Sequence, residues 1–389
     1  MTEGIVVGNP ENRRVALFLA AAEAAGCSRP RVLSWQAILD GSASLEEWVT
    51  PDTTVRLESP GENFAVEREL IARGAALTGR IDPGEVRRTP PDQGRIWLCR
   101  EWFLGWRRQL QGWANLPVRW MNPPADIVQM FDKPACQQHL AGLGVIVPEQ
   151  LGRIRDWDDL RRRMRDRGLS RVFVKLASGS SASGVIALRT SSTAVQATTS
   201  VEMVAQPAGP PALYNSLRVR TYTSEREVGL LVDTLAAEEI YAERWLPKAG
   251  WQGRTFDLRV MVIAGQVRQM VMRTSQTPLT NLHLGNARGD LAAFLQQTPP
   301  ARLEPAWETC RRVAGAFPRS LYLGVDLLLG PGLGRHAVME VNAFGDLLPG
   351  VEIDGRDSYQ DEVAAQLQRG GGQAGTSPAT DPSIGWRSR

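Results

Sequence analysis

VDLLLGPGLGRHAVMEVNAFG, residues 325–345, reads as two apolar strands joined by a turn rich in Gly and Pro. Three polar side chains interrupt those strands: Asp326, Glu340 and Asn342. If Leu329 and Ala337 close the turn, antiparallel pairing sets Asp326 opposite Glu340 on one face, and Asn342 follows two residues on along the same face. Val325, Leu327, Leu329, Met339 and Val341 then face a core. Two facing carboxylates repel and weaken a bare ladder. A hard divalent cation such as Mg²⁺ removes the repulsion, and neutral Asn342 adds an oxygen ligand without adding charge. A solvated acidic strand face is the alternative reading.

The chain has 389 residues, too many for one ordinary core, so two or three packed lobes are expected. Its 43% hydrophobic and 22% charged content is that of a globular protein. A net charge of +3 is small for this length; it permits an anionic ligand and does not argue for nucleic acid. No run of about 18 apolar residues occurs. MTEGIVVGN lacks a basic start followed by an apolar stretch, so neither a membrane span nor a signal peptide is expected. The four cysteines are scattered without C-x-x-C spacing, which suits reduced thiols in a cytoplasm and excludes a cysteine-built zinc site. Of 45 basic residues only three are lysines: Lys133, Lys175 and Lys248. In so arginine-rich a chain, a retained lysine points to a place that needs a compact ammonium instead of a planar fork.

Outward from the hairpin the chain alternates helix and strand patterns. GIVVG, RVLSW and TTVRLES read as strands around the helix NRRVALFLAAAEAAG, a small α/β unit. GIVVGNPENRR lacks G-x-G-x-x-G, which disfavours a dinucleotide site. Trp102, Trp106 and Trp113, with Leu110, share one helical face, a stripe read as packing between lobes and not as a base-stacking platform. MNPPADIVQMFDK reads as a linker into a helix capped by Asp132, with Pro134 in its first turn and Gly142 to Gly144 at its end. RVFVKL and VIALR flank the loop ASGSSASG; VEMVAQ, LRVRTYT and EVGLLVDT read as strand-like, as do IYAERWL, FDLRVMVI and VRQMVMRT. A helix, PAWETCRRVAGAF, precedes the hairpin.

Lys175 ends a strand and is followed by a glycine-serine loop holding Gly179, Ser180 and Gly184, an arrangement that can fold backbone N–H groups over phosphates. It is not a Walker A loop, because no lysine follows a glycine, and with neither H-R-D nor D-F-G a kinase is disfavoured. Lys133 sits in the first turn of its helix, where the backbone donors also favour an anion. Glu243 can accept a hydrogen bond of the kind an adenine amino group offers, and Lys248 follows in a connecting segment. Asp257 and Arg259 share one strand face and either pair with each other or free Arg259, with Arg273, for a developing phosphoryl charge. His283 in NLHLG reads as a packing or orienting histidine.

Taken in order, these segments resemble the ATP-grasp superfamily: NPPADIVQMFDK at 122–133, VFVKLASGSSASG at 172–184, YAERWLP at 241–247, DLRV at 257–260, Arg273 with NLHLG at 281–285, and VDLLL with MEVN up to 342. The amide-forming branch, with glutathione synthetase and the ribosomal-protein glutamate ligases, is the nearest in pattern. The resemblance implies a mixed α/β and α+β protein: an N-terminal α/β lobe (1–118) followed by a two-subdomain ATP-grasp fold. The linker and first subdomain would span 119–240, the second 241–369, and a structureless tail 370–389. It also implies that Lys133, Lys175 and the loop with Ser180 and Gly184 contact ATP phosphates, that Glu243 lies at the adenine hinge, and that Lys248 lies near the ribose. Asp326, Glu340 and Asn342 would hold Mg²⁺, and Arg259 and Arg273, with Asn281 nearby, would steady the transferred phosphoryl group. The implied reaction is ligation of a small-molecule or peptide carboxylate to an amine through an acyl phosphate, with a non-catalytic ATP-binding sensor or scaffold as the alternative. The chain departs from the pattern at Gly324, where some ligases of the family place an arginine.

Overall fold

The computed structural model describes residues 3–179, 183–344, 348, 350–370 and 386–388. The first sheet is parallel, in the order β2-β1-β3-β5, and comprises β1 (Gly4–Gly8), β2 (Arg31–Ser34), β3 (Thr54–Leu57) and, beyond β4 (Arg95–Ile96), β5 (Arg119–Trp120). Its helices are α1 (Arg13–Ala24), α2 (Trp35–Asp40), α3 (Phe64–Thr78), α4 (Pro83–Arg88) and α5 (Cys99–Gly112). Asn12 and Asn63 accept backbone N–H groups at the starts of α1 and α3, which fixes where each helix begins. Ile5, Val7, Val55 and Leu57 face α3 and α5, whereas Val6 packs with Val15 and Phe18 of α1.

The tryptophan stripe is core. Trp106 and Trp113 are buried, and Trp113 stacks on Trp35 at 5.6 Å between ring centroids. Trp106 meets Phe131 edge-on at 4.8 Å and Phe344 at 5.9 Å, so α5 packs against both the linker region and the segment that follows the hairpin.

The linker region is itself helical: α6 (Pro124–Phe131) precedes α7 (Lys133–Gly142), and Asp132 caps α7 with Pro134 in its first turn. A seven-stranded sheet, β4-β10-β9-β8-β7-β11-β6, gathers β6 (Gln150–Ile154), β7 (Arg171–Leu176), β8 (Ile186–Thr190), β9 (Val195–Val204), β10 (Ala212–Tyr222) and β11 (Ile240–Arg244). One face is closed by α8 (Trp157–Asp166) and α9 (Glu225–Ala236), which bury Leu160, Met164, Val228, Leu231, Val232 and Leu235 against Val172, Val174 and Ala242. EVGLLVDT is thus helical, not strand-like. Its β-branched run suits a strand locally, but Val228, Leu231, Val232 and Leu235 fall on one helical stripe that the sheet requires.

The third sheet, β15-β14-β13-β16-β17 with β12 against β13, comprises β12 (Gly250–Trp251), β13 (Arg254–Ile263), β14 (Gln266–Ser275), β15 (Ala287–Arg288), β16 (Tyr322–Leu329) and β17 (His336–Asn342). Between β15 and β16 run α10 (Leu291–Gln297) and α11 (Pro300–Ala316), and α11 lays Leu303, Trp307, Cys310 and Val313 against the apolar face. The chain closes with β18 (Val351–Ile353), α12 (Ser358–Gly370) and β19 (Trp386–Ser388), which pairs with β18. The expected structureless tail therefore ends in a short strand, and positions 371–385 lie outside the described residues. Among the described residues no helix is long and apolar enough to cross a membrane.

Two buried side chains join these layers. Asn122 donates to the carbonyls of Tyr322 and Ala343 (2.9 and 2.7 Å) and accepts from Leu321 N, which fastens the start of the linker to both ends of the hairpin. Arg56 of β3 lies against Phe18, Tyr322 and Tyr359, and pairs with Glu58 at 2.7 Å and with Glu362 of α12 at 2.5 Å. Arg56 is shared between the two carboxylates, and the second cation, Arg14, stands beside Glu58 alone at 4.0 Å. Burial accordingly pushes the Glu362 carboxyl up to about 7, against the pull of Arg56. Between its ordinary 4.5 and about 7 the folded chain keeps a proton that the unfolded chain releases, so this contribution to stability is complete at low pH and is lost as pH rises through about 7. Glu362→Gln, which mimics the protonated acid, is expected to gain stability relative to the parent from about pH 5 to about pH 8, by up to roughly 3 kcal/mol in urea unfolding. A difference that stays flat over that range would show Glu362 ionised throughout.

Candidate active site

The hairpin that opened the reading does set Asp326 opposite Glu340, but by a different route from a uniform ladder. The turn closes on Leu329 and His336, one residue short of the expected pair, and Leu327 lies across from Val338. A bulge at Met339 then restores Asp326 to Glu340, and Gly324 to Asn342. Val338 takes the buried place expected of Met339, which is only partly covered.

Across β16 the row continues. Arg259 of β13 is the ladder partner of Asp326, and its Nε lies 2.5 Å from Asp326 Oδ1. At the other end Lys133 of α7 places Nζ 2.9 Å from Glu340 Oε1 and also donates to the Gly179 carbonyl. Cation, anion, anion and cation thus alternate in pairs across three strands and a helix. Burial pushes the Glu340 carboxyl up, but Lys133, then Lys175 and Arg259, outweigh it and hold the group below the usual carboxylate range.

Asp257 and Arg259 do not pair with each other. Asp257 lies across from Arg273 of β14, whose Nε is 2.7 Å from Asp257 Oδ1 and whose Nη2 is 3.2 Å from Asp326. Lys248 donates to Asp257 (2.9 Å), to the Thr280 hydroxyl (2.6 Å) and to the Pro278 carbonyl (3.4 Å), which engages all three of its N–H groups; Thr280 also donates to Asp257. Burial raises the Asp257 carboxyl, yet Arg273 and Lys248 hold it far below its ordinary value. Asn281 follows Thr280 in the same loop, where its carbonyl accepts from Asn286 Nδ2.

On the seven-stranded sheet, Val172, Val174 and Leu176 of β7 face the helices, which leaves Lys175 on the opposite face. There it pairs with Glu243 of β11, a fully buried carboxylate that also accepts from Tyr241 OH (3.1 Å) and Gln137 Nε2 (2.9 Å). Both Glu243 oxygens face protein partners. The Lys175 loop folds back over Leu176: Gly184 has a positive φ of 66°, and a Cβ there would lie 2.8 Å from Leu176 Cγ. Ser180 lies outside the described residues.

All three lysines therefore belong to one charged cluster, each matched to one carboxylate: Lys133 to Glu340, Lys175 to Glu243, Lys248 to Asp257. Sequence reasoning missed Gln137, Tyr241 and Thr280, whose residue types carry no chemical signature by themselves. The donor set fits a hard divalent cation. Asp326 and Glu340 supply carboxylates from facing positions, each already paired with a cation, and Asn342 donates its amide N–H to Gly324 O at 3.4 Å. Among the described residues no third carboxylate, histidine or cysteine joins them, so the amide oxygen of Asn342 would complete the set.

Gly324 leaves the room that Arg259 occupies: a Cβ at 324 would sit 3.4 Å from Arg259 Cδ and Nη1 and 3.6 Å from Asn342 Cβ. Arg259 thus fills the space in front of residue 324. Gly324→Ala is expected to change stability by less than about 1 kcal/mol, whereas Gly324→Leu must displace Arg259 from Asp326 and cost roughly 1–3 kcal/mol in denaturant unfolding. Equal stability of the two variants would contradict this packing.

No family model matches the chain, and no curated protein matches it in sequence. Solved structures do match along its length. The ATP-grasp ligase PsnB, complexed with a phosphomimetic variant of minimal precursor, Mg and ADP, superposes with a TM-score of 0.54 at 18% identity, covering 95% of this chain and 99% of PsnB. D-cycloserine synthetase DcsG superposes with a TM-score of 0.54 at 13% identity, over 94% and 99% of the two chains. A RiPP-associated ATP-grasp ligase of Chryseobacterium gregarium, in complex with ADP and a leader and core peptide, gives 0.53 at 11% identity over 99% and 100%. The chain has the fold of the ATP-grasp ligases.

Proposed function

We propose that this protein is a Mg²⁺-dependent ligase that uses ATP to join a carboxylate to an amine, with release of ADP and phosphate. The observation that carries the reading is the row Arg259, Asp326, Glu340 and Lys133, set beside Lys175 and Arg273. It combines oxygen ligands for a hard cation with cations for phosphates, and it sits on a fold shared with PsnB, DcsG and the Chryseobacterium enzyme. The seven- and six-stranded sheets would form the two halves of the nucleotide cleft, behind the N-terminal lobe.

The charge balance supports this. Lys133, Lys175, Lys248, Arg259 and Arg273 face Asp257, Asp326, Glu243 and Glu340, so the cleft alone carries about one net positive charge. A triphosphate brings more negative charge than that, and Asp326, Glu340 and Asn342 would hold the divalent cations that make up the difference. Bound there, Mg²⁺ would neutralise developing charge on the phosphoryl oxygens. In the proposed chemistry a substrate carboxylate oxygen attacks the terminal phosphorus and ADP leaves. The amine then attacks the acyl carbon, phosphate leaves, and the nitrogen gives up a proton. Phosphoryl transfer needs positioning and charge neutralisation more than a protein nucleophile. Lys133 and Lys175 would exchange their carboxylate partners for phosphate oxygens. Arg259 and Arg273, oriented by Asp326 and Asp257, would steady the transferred group, with Asn281 in the adjoining loop. Glu243 would stand at the adenine side, and Lys248, near the ribose, would hold Asp257 in place. The acceptor and donor would be small molecules or peptides, as with DcsG and the peptide-bound neighbours.

The test has two parts. Incubation of the protein with ATP and Mg²⁺ in a metabolite and peptide extract should yield an ATP-dependent condensation product, read by mass spectrometry, together with ADP. Asp326→Ala and Glu340→Ala should each lower that turnover by at least about 100-fold. Unchanged turnover in both variants would overturn the site, and tight ATP binding without any ADP release would favour a sensor or scaffold.

A further inference from the structure

Helix α7 carries more than Lys133. One turn further on, at the i+4 position, stands Gln137, which is 2% exposed. Its amide nitrogen donates to Glu243 Oε2 of the seven-stranded sheet and to the Met339 carbonyl of the six-stranded sheet, both at 2.9 Å. Its own oxygen accepts from Gln150 Nε2 at 2.9 Å, and Gln150 also donates to the Pro134 carbonyl in the first turn of α7. Every polar atom of this buried side chain is therefore committed, and its two donors serve two different sheets.

Each recipient governs one half of the cleft. Glu243 is the carboxylate that holds Lys175. Met339 is the bulged residue whose extra position brings Glu340 into line with Asp326. α7 and β17 pack closely, leaving between them a small, partly open cavity of about 10 Å³ bordered by Lys133, Gln137, Met339 and Glu340. A displacement of β17 must be felt at Gln137, and through it at Glu243.

We infer that Gln137 is a positioning residue that couples the Asp326–Glu340 pair to Lys175, so that a cation held by the first strengthens nucleotide binding at the second. This rests on the proposed nucleotide reading of the site. A buried amide with one donor on each sheet transmits alignment in either direction, because its single planar NH₂ group keeps both bonds only while Glu243 and the Met339 carbonyl hold their relative positions. A residue that merely fills space would change nucleotide affinity equally with and without the cation.

The test is calorimetric titration of the full chain with ATP, with and without saturating Mg²⁺. The quantity read is the ratio of the two dissociation constants. Gln137→Met keeps the volume and removes both donors, and it should shrink that ratio by about ten-fold relative to the parent. Gln150→Met loosens Gln137 from the outside and is expected to shrink the ratio in the same direction but less, which covers the case in which the Gln137 variant does not fold. A ratio equal to the parent's in the folded variants overturns the inference. If the parent itself binds no ATP with or without Mg²⁺, the nucleotide reading fails and the inference with it. If the parent shows the coupling and the variants keep it, only the role of Gln137 fails.

Discussion

Two carboxylates placed opposite each other in an antiparallel ladder repel at close range, and a sheet tolerates them only if cations arrive from elsewhere. Here Asp326 and Glu340 are so placed, and the cations that quiet them come from two other parts of the chain: Lys133 from α7, and Arg259 and Arg273 from the paired strands β13 and β14. Much of the arrangement around the cleft follows from that requirement. β13 must lie beside β16 in the register that aligns Arg259 with Asp326, and α7 must lie with its first turn against β17. Removing one member of such a buried pair leaves the other uncompensated, so the set stands or falls together.

Each carboxylate of the cluster is paired with at least one of its five cations. That arrangement keeps long cationic side chains ordered near the places a phosphate would take, and it places a barrier against occupation by a bare anion or a bare cation. An incoming anion must compete with Glu340 and Glu243 for the lysines, and an incoming cation must compete with Lys133 and two arginines for the carboxylates. Only a ligand that brings both charges at once can replace every broken pair with a new one.

The legibility of this chain in its sequence was uneven for physical reasons. Asp326, Glu340 and Asn342 stood out because carboxylates at alternate positions of an apolar strand have no structural excuse. Lys133, Lys175 and Lys248 stood out because the surface is built from arginine. The bulge at Met339 was not legible: a ladder slips by one residue through turn and packing energetics that the local pattern does not record. EVGLLVDT was misread because β-branched residues favour a strand locally, and only the sheet beneath it decides for a helix. Gln137 was invisible because a glutamine acquires a role only from what surrounds it. The partners of Asp257 and Arg259 were open from spacing alone, since both intrastrand and cross-strand pairing satisfy the alternation.

The link between Arg56 and Glu362 spans 306 positions. A chain emerging from the ribosome presents β3 well before α12, so over that interval Arg56 has Glu58 beside it while the aromatic and acidic wall supplied by Tyr322, Tyr359 and Glu362 is still missing. The first lobe therefore cannot complete its interior as an independent unit. Its final closure waits for α12, so synthesis of that helix, and not completion of the first sheet, is the step that lets this face of the protein become native.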